Sequence, residues 1–179
     1  MPDSASHLDV VGSVVEALSE LGLQPVLVGG MALVVIGSRR VTRDFDFVVT
    51  QPGERLPELV GVFYDRGLEL VSRLNAAGDV TPTIDNPRVA ATRLRLDAPC
   101  SAYFFEAATG LRIDLLFDFP VPAATLARGA TRVTVRSRVL SVASEADLLH
   151  LKKVARADRS APGDAEDIAF LEARLASKG

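Results

Sequence analysis

Two aspartates separated by one residue, Asp44 and Asp46, stand in the run Asp44-Phe45-Asp46-Phe47-Val48-Val49. Side chains alternate across a strand, so the two carboxylates share one face while Phe45 and Phe47 turn to the other, toward a core. Carboxylates held that close raise each other's pKa unless a cation sits between them, and hard oxygen donors of this kind suit Mg²⁺. The plainer alternative is the solvated face of an edge strand. Upstream, the short β-branched run Val26-Leu27-Val28 ends at Gly29-Gly30, and an apolar segment of helical length follows. The free N–H groups and positive dipole end of such a helix attract phosphate, whereas alone the glycines make only a tight turn. Side by side, a phosphate-binding helix start and metal-binding carboxylates describe a site for a nucleoside triphosphate.

A third acid interrupts the apolar run Leu111-Arg112-Ile113-Asp114-Leu115-Leu116-Phe117. An unpaired carboxylate there would be costly to desolvate, so Asp114 needs a partner. Two readings stand open: an ion pair with Arg112 or another arginine, or a place beside Asp44 and Asp46. Asp118, at the strand end before Phe119-Pro120, reads as a turn residue. Arg39, Arg40 and Arg43 lie between the glycine helix and the aspartate strand, where they either meet phosphates or are simply solvated.

Gly29-Gly30, thirteen residues, then Asp44-x-Asp46, with Arg40-x-Thr42-x before the first aspartate, resembles the signature of the DNA polymerase β-like nucleotidyltransferase superfamily. Within it the chain is most similar to AbiEii-type toxins and related small bacterial nucleotidyltransferases. Many members carry Gly-Ser where this chain has Gly-Gly, which leaves phosphate contact to the backbone. The resemblance implies an α/β (α+β) nucleotidyltransferase fold, a small mixed β-sheet flanked by helices, with a C-terminal helical hairpin. It makes Asp114, in an apolar-Asp-apolar-apolar context, the third carboxylate. Asp44, Asp46 and Asp114 would hold two Mg²⁺ ions, with Mn²⁺ as the substitute, and Gly29, Gly30, Thr42 and Lys152 would contact the NTP. Lys152 followed by Asp164-x-x-Asp167 resembles the C-terminal segment of the toxin branch. The two aspartates read equally well as helix N-terminal carboxylates favoured by the dipole.

The elements that must position these residues follow from periodicity. Leu8, Val11, Val14, Val15 and Leu18 mark a packing helix from Ser4 or Ser6 to Leu21, stopped by Gly22. The glycine helix runs to about Ser38 and the aspartate strand to Thr50. A turn at Gln51-Pro52-Gly53, an amphipathic helix from Glu54 to Asp65 and a strand across Leu68 to Leu74 come next. From Asn75 to Pro99 the prolines and Gly78 predict an irregular stretch with a short helix after Asp85. A hairpin follows (Ser101 to Glu106, then Leu111 to Phe117), then a short helix from Val121 to Arg128 and two strands between Thr131 and Val142. Ser144 opens a helix, the loop Arg159 to Gly163 breaks it, and Asp164 caps a last helix to about Ser177. Residues 1–143 thus form the core, and 144–179 a helical hairpin packed on it in one compact unit.

Composition narrows the function further. With 179 residues, 48% of them hydrophobic, the chain suits one well-packed domain. A net charge of −3 excludes the global basic field of a dedicated nucleic-acid binder. No apolar run reaches membrane-spanning length and no signal peptide opens the chain, so a cytoplasmic protein is expected, with Cys100 as a small buried filler. The expected activity is transfer of an NMP from an NTP to an acceptor hydroxyl on a tRNA, a protein or a small molecule such as an aminoglycoside. A toxin with a cognate antitoxin is the narrower expectation. The alternative is a non-catalytic nucleotide-binding or regulatory module.

Overall fold

The computed structural model describes residues 4–72, 76–77, 82–158 and 161–179. The last residues of the expected strand (73–74), the loop positions 75 and 78, and 159–160 of the hairpin loop lie outside them. Helix α1 (Ser4–Glu20) buries Val11, Val14, Val15 and Leu18 along one face, and Gly22, at φ +76°, ends it. Strand β1 (Val26–Val28) runs directly into α2 (Gly29–Val35), and β2 (Asp44–Val49) carries the aspartates. A 3₁₀ turn at Gly53–Arg55 leads to α3 (Leu56–Tyr64), then β3 (Glu69–Val71) and β4 (Thr83–Ile84).

Helix α4 (Pro87–Asp97) is longer than the short helix expected after Asp85. Its prolines are boundary markers: Pro87 sits in the first turn, where a missing N–H is harmless, and the Asn86 Oδ1 accepts from the N–H groups of Arg88 (2.9 Å) and Val89 (3.3 Å). Cys100, expected as a buried filler, is exposed. The hairpin β5 (Ser101–Glu106) and β6 (Leu111–Phe117) forms as expected, followed by α5 (Ala123–Gly129), β7 (Thr131–Val135) and β8 (Arg138–Val142). Asp118 is the turn residue foreseen: at φ +48° its carboxylate accepts from the backbone N–H groups of Gln51 and Ala123. The chain closes with α6 (Glu145–Asp158) and α7 (Asp164–Ala176), a helical hairpin.

Among the described residues, eight strands form one mixed sheet in the order β4-β3-β5-β6-β2-β1-β8-β7. β2 pairs in parallel with β6, and β1 in parallel with β8; the other pairings are antiparallel. One face carries Leu27, Phe45, Phe47, Ile113, Leu115 and Phe104, none more than 4% exposed, with Phe63 of α3 stacked on Phe104 at 3.9 Å between ring centroids. This is the core. Because strand side chains have a period of two, burying the phenylalanines of β2 forces both of its aspartates onto the opposite face. No helix among the described residues is long and apolar enough to cross a membrane.

Candidate functional site

On that opposite face the sheet register assembles the acids. Asp46 lies across from Asp114 in the β2–β6 pair, and Asp114 across from Tyr103 in the β5–β6 pair. One step along the strands, Asp44 lies across from Arg112, and Arg112 from Phe105. Neighbouring strands stand about 4.8 Å apart, so three carboxylates and one guanidinium occupy a patch two strands wide. The residues predicted as the acidic core of the site are therefore brought together by backbone pairing alone.

Asp114 is ion-paired and also lies in register with Asp46. Arg112 donates from Nε to Oδ1 at 2.7 Å and from Nη2 to Oδ2 at 2.9 Å, a bidentate pair between strand positions i and i+2. The guanidinium also lies over the Tyr103 ring, 4.8 Å from its centroid. Asp114 is 7% exposed. Burial raises its pKa, with Arg112 opposing that rise. Asp46 is pushed up to about 7, first by desolvation and then by Asp114, to which it is hydrogen-bonded, and by Asp44. A carboxyl that retains its proton near neutrality marks a place where positive charge is in deficit.

Gly29 is shaped by the same group. Its φ is +69°, and a Cβ there would overlap the Asp46 carboxylate, with Cγ at 3.0 Å. The position thus requires glycine twice, for the turn that starts α2 and for the close approach of Asp46. A Cβ on Gly30 would lie 2.9 Å from Cζ of Arg40, so that guanidinium covers the start of the helix. Thr42 is half-buried in the loop before β2, while Arg39 and Arg43 are exposed.

Arg40 reaches the C-terminal hairpin. Its Nη1 pairs with Oδ2 of Asp167, and the same oxygen meets Nζ of Lys152 at 2.8 Å; Asp164 Oδ1 is 3.4 Å from that Nζ. Asp167 and Asp164 are 3% and 8% exposed. They are therefore more than helix-start carboxylates: among the described residues, Arg40 and Lys152, with the Ala161 N–H on Asp164, offset the cost of their burial. Lys152 is the inward lysine of its pair, its side chain 17% exposed against 53% for Lys153, which pairs with Glu172 on the surface. Glu145 ties the far end of the hairpin to Arg174 and Lys178. The Arg40–Asp167 contact spans 127 residues and has no local signal in the sequence; the Arg112–Asp114 pair is visible as two charges of equal parity on one strand.

The donor set, carboxylate oxygens only, fits a hard divalent ion, and the raised pKa of Asp46 marks the charge that such an ion would offset. As they stand, the side chains are not arranged around an ion: among the described residues no group of three or more Asp, Glu, His or Cys forms a ready ligand cluster. Arg112 occupies both oxygens of Asp114.

The sequence matches no family model and no curated protein. Its fold is similar to several solved structures. The antibiotic-resistance factor ANT(2'')-Ia superposes with a TM-score of 0.60 at 13% identity, covering 97% of this chain and 86% of that one. An antigenic nucleotidyltransferase-like protein from Paracoccidioides brasiliensis gives 0.59 at 15% identity over 94% and 76%. The lincomycin-bound lincosamide antibiotic adenylyltransferase LnuA gives 0.54 at 12% over 92% and 95%. The chain has the nucleotidyltransferase fold.

Proposed function

We propose that the chain is a metal-dependent nucleotidyltransferase that moves an NMP from an NTP to an acceptor hydroxyl and releases pyrophosphate. The observation that carries this reading is the register: Asp114 lies across from Asp46, on the face shared with Asp44, beside the glycine turn that opens α2. Two divalent ions on Asp44, Asp46 and Asp114 would steady the triphosphate and lower the pKa of the acceptor hydroxyl. The backbone N–H groups at Gly29 and Gly30 would receive phosphate oxygens, and Thr42, in the loop before β2, would add a hydroxyl contact. Lys152 offsets charge as pyrophosphate leaves. A carboxylate oxygen of Asp114 takes the acceptor's proton while the acceptor oxygen bonds to the α-phosphorus and the α–β bridging oxygen departs.

For the acceptor, a small hydroxyl-bearing molecule is favoured. LnuA is described as a lincosamide adenylyltransferase with lincomycin bound, and ANT(2'')-Ia has been captured with adenylyl-2''-tobramycin. The narrower alternative, a toxin of the AbiEii type with a cognate antitoxin and a tRNA or protein acceptor, draws on Lys152 and the Asp164-x-x-Asp167 segment. The test is transfer of label from α-labelled NTP, with Mg²⁺ or Mn²⁺, to a panel of small hydroxyl compounds and to the macromolecules of a lysate. Label on a small molecule supports the first reading, and label on tRNA or protein the second. NTP binding with no transfer to anything would leave a non-catalytic nucleotide-binding module.

A further inference from the structure

Arg112 belongs to none of the roles assigned above, yet it is the cation nearest the acids. It stands across from Asp44 in register, grips both oxygens of Asp114, and is held in place by the ring of Tyr103. Its side chain is only 16% exposed. A surface arginine would sample many rotamers. This one is fixed from two sides, by a carboxylate on its own strand and by a ring on the next.

We infer that Arg112 is the resident counter-ion of the carboxylate patch: it neutralises Asp114 in the metal-free protein, and a divalent cation binds in competition with its guanidinium. The inference rests on the reading of Asp44, Asp46 and Asp114 as metal ligands. Its physical basis is that one fork-shaped guanidinium uses two of the four lone-pair directions of Asp114 and adds a positive charge where a second cation would have to sit. The consequence is a site that is weak for metal by itself. Arg112 is a positioning residue in this scheme, since it acts through Asp114.

The experiment is Mn²⁺ binding to the nucleotide-free protein, followed by the electron paramagnetic resonance signal of free Mn²⁺, for wild type, Arg112→Gln and Arg112→Lys. Arg112→Gln keeps a donor and removes the charge, and should bind Mn²⁺ at least about tenfold more tightly, the effect of one adjacent charge on a carboxylate's cation affinity. Arg112→Lys keeps the charge without the fork and should fall between the two; it carries the test should the glutamine variant fail to fold. If wild type binds Mn²⁺ and both variants bind it equally or less well, Arg112 merely orients Asp114 and the inference is overturned. If none of the three binds Mn²⁺, with or without ATP, the metal reading of the carboxylates falls and takes the inference with it.

Discussion

Asp46 and Asp114 face each other across the parallel pair of β2 and β6, and burial, reinforced by that encounter, pushes the Asp46 carboxyl up to about 7. Its pKa, pushed from 3.8 to about 7 by burial and by Asp114, gives stability a definite pH dependence. The folded state binds more protons than the unfolded chain between those two values, so stability falls as pH rises through that window and levels off above it. For metal-free protein in EDTA the loss should be on the order of 3–4 kcal/mol from pH 4 to 8. Asp46→Asn should flatten the profile. Melts of both proteins across that range decide it, and a wild-type profile as flat as the mutant's would count against the crowded-carboxylate picture.

Asp44→Asn and Asp46→Asn should each abolish NMP transfer while leaving the metal-free fold equal in stability or slightly firmer at pH 8, where each removes a repelling charge. Added Mg²⁺ or Mn²⁺ should raise the wild-type melting temperature and raise that of either mutant less, through mass action on the folded state. Full activity in either mutant would remove the pair from the chemistry.

Asp114→Asn acts on two relationships that oppose each other. It leaves Arg112 without its bidentate partner, a loss of about 3 kcal/mol or more when a buried ion pair is broken. It also relieves Asp46, which Asp114 raises. The net destabilisation should be about 1–2 kcal/mol, with most turnover lost and NTP binding retained. A full 3 kcal/mol loss with turnover unchanged would make Asp114 a structural acid only.

The acids were legible because strand parity is a local rule: the alternation of Asp44, Phe45, Asp46 and Phe47 fixes the face before any partner is known. That Asp114 joins them could be expected from its cost in an apolar strand, but its being paired and aligned at once needed the register. Residues 75–99 misled because prolines read as interruptions, whereas Pro87 starts a helix under the Asn86 cap. Arg40 and Asp167 were illegible for a plainer reason. Contacts across 127 residues are set by how the hairpin α6–α7 lies against the glycine turn, and no periodicity encodes that.

Gly29 and Gly30 should respond unequally to alanine. Gly29→Ala forces a Cβ into the Asp46 carboxylate and into a left-handed φ, so it should cost about 1–3 kcal/mol and most of the activity. Gly30→Ala meets only the guanidinium of Arg40, which can shift, and should retain a stable fold with weakened NTP binding. Melting temperatures and NTP titrations of the two variants check the contrast; equal effects at both positions would deny Asp46 its special contact.

The inward lysine offers the last test. Adjacent helix residues point about 100° apart, so Lys152 and Lys153 cannot share a role. Lys153 pairs with Glu172 on the surface, and Lys153→Ala should change stability by less than about 0.5 kcal/mol. From the sequence alone Lys152→Ala also looks nearly free of stability cost. The structure changes that expectation, because Lys152 is one of the two cations that Asp164 and Asp167 face. Lys152→Ala should therefore cost about 1–3 kcal/mol, Arg40 sparing Asp167 from complete isolation. It should also weaken NTP binding and turnover. Separating the two effects takes a double-mutant cycle of Lys152→Ala with Asp167→Asn: the coupling in stability should be about 0.5–3 kcal/mol. If Lys152 serves the nucleotide as well, turnover should stay low in the double mutant even where stability is restored. Recovery of turnover together with stability would mean that Lys152 only latches the hairpin to the core.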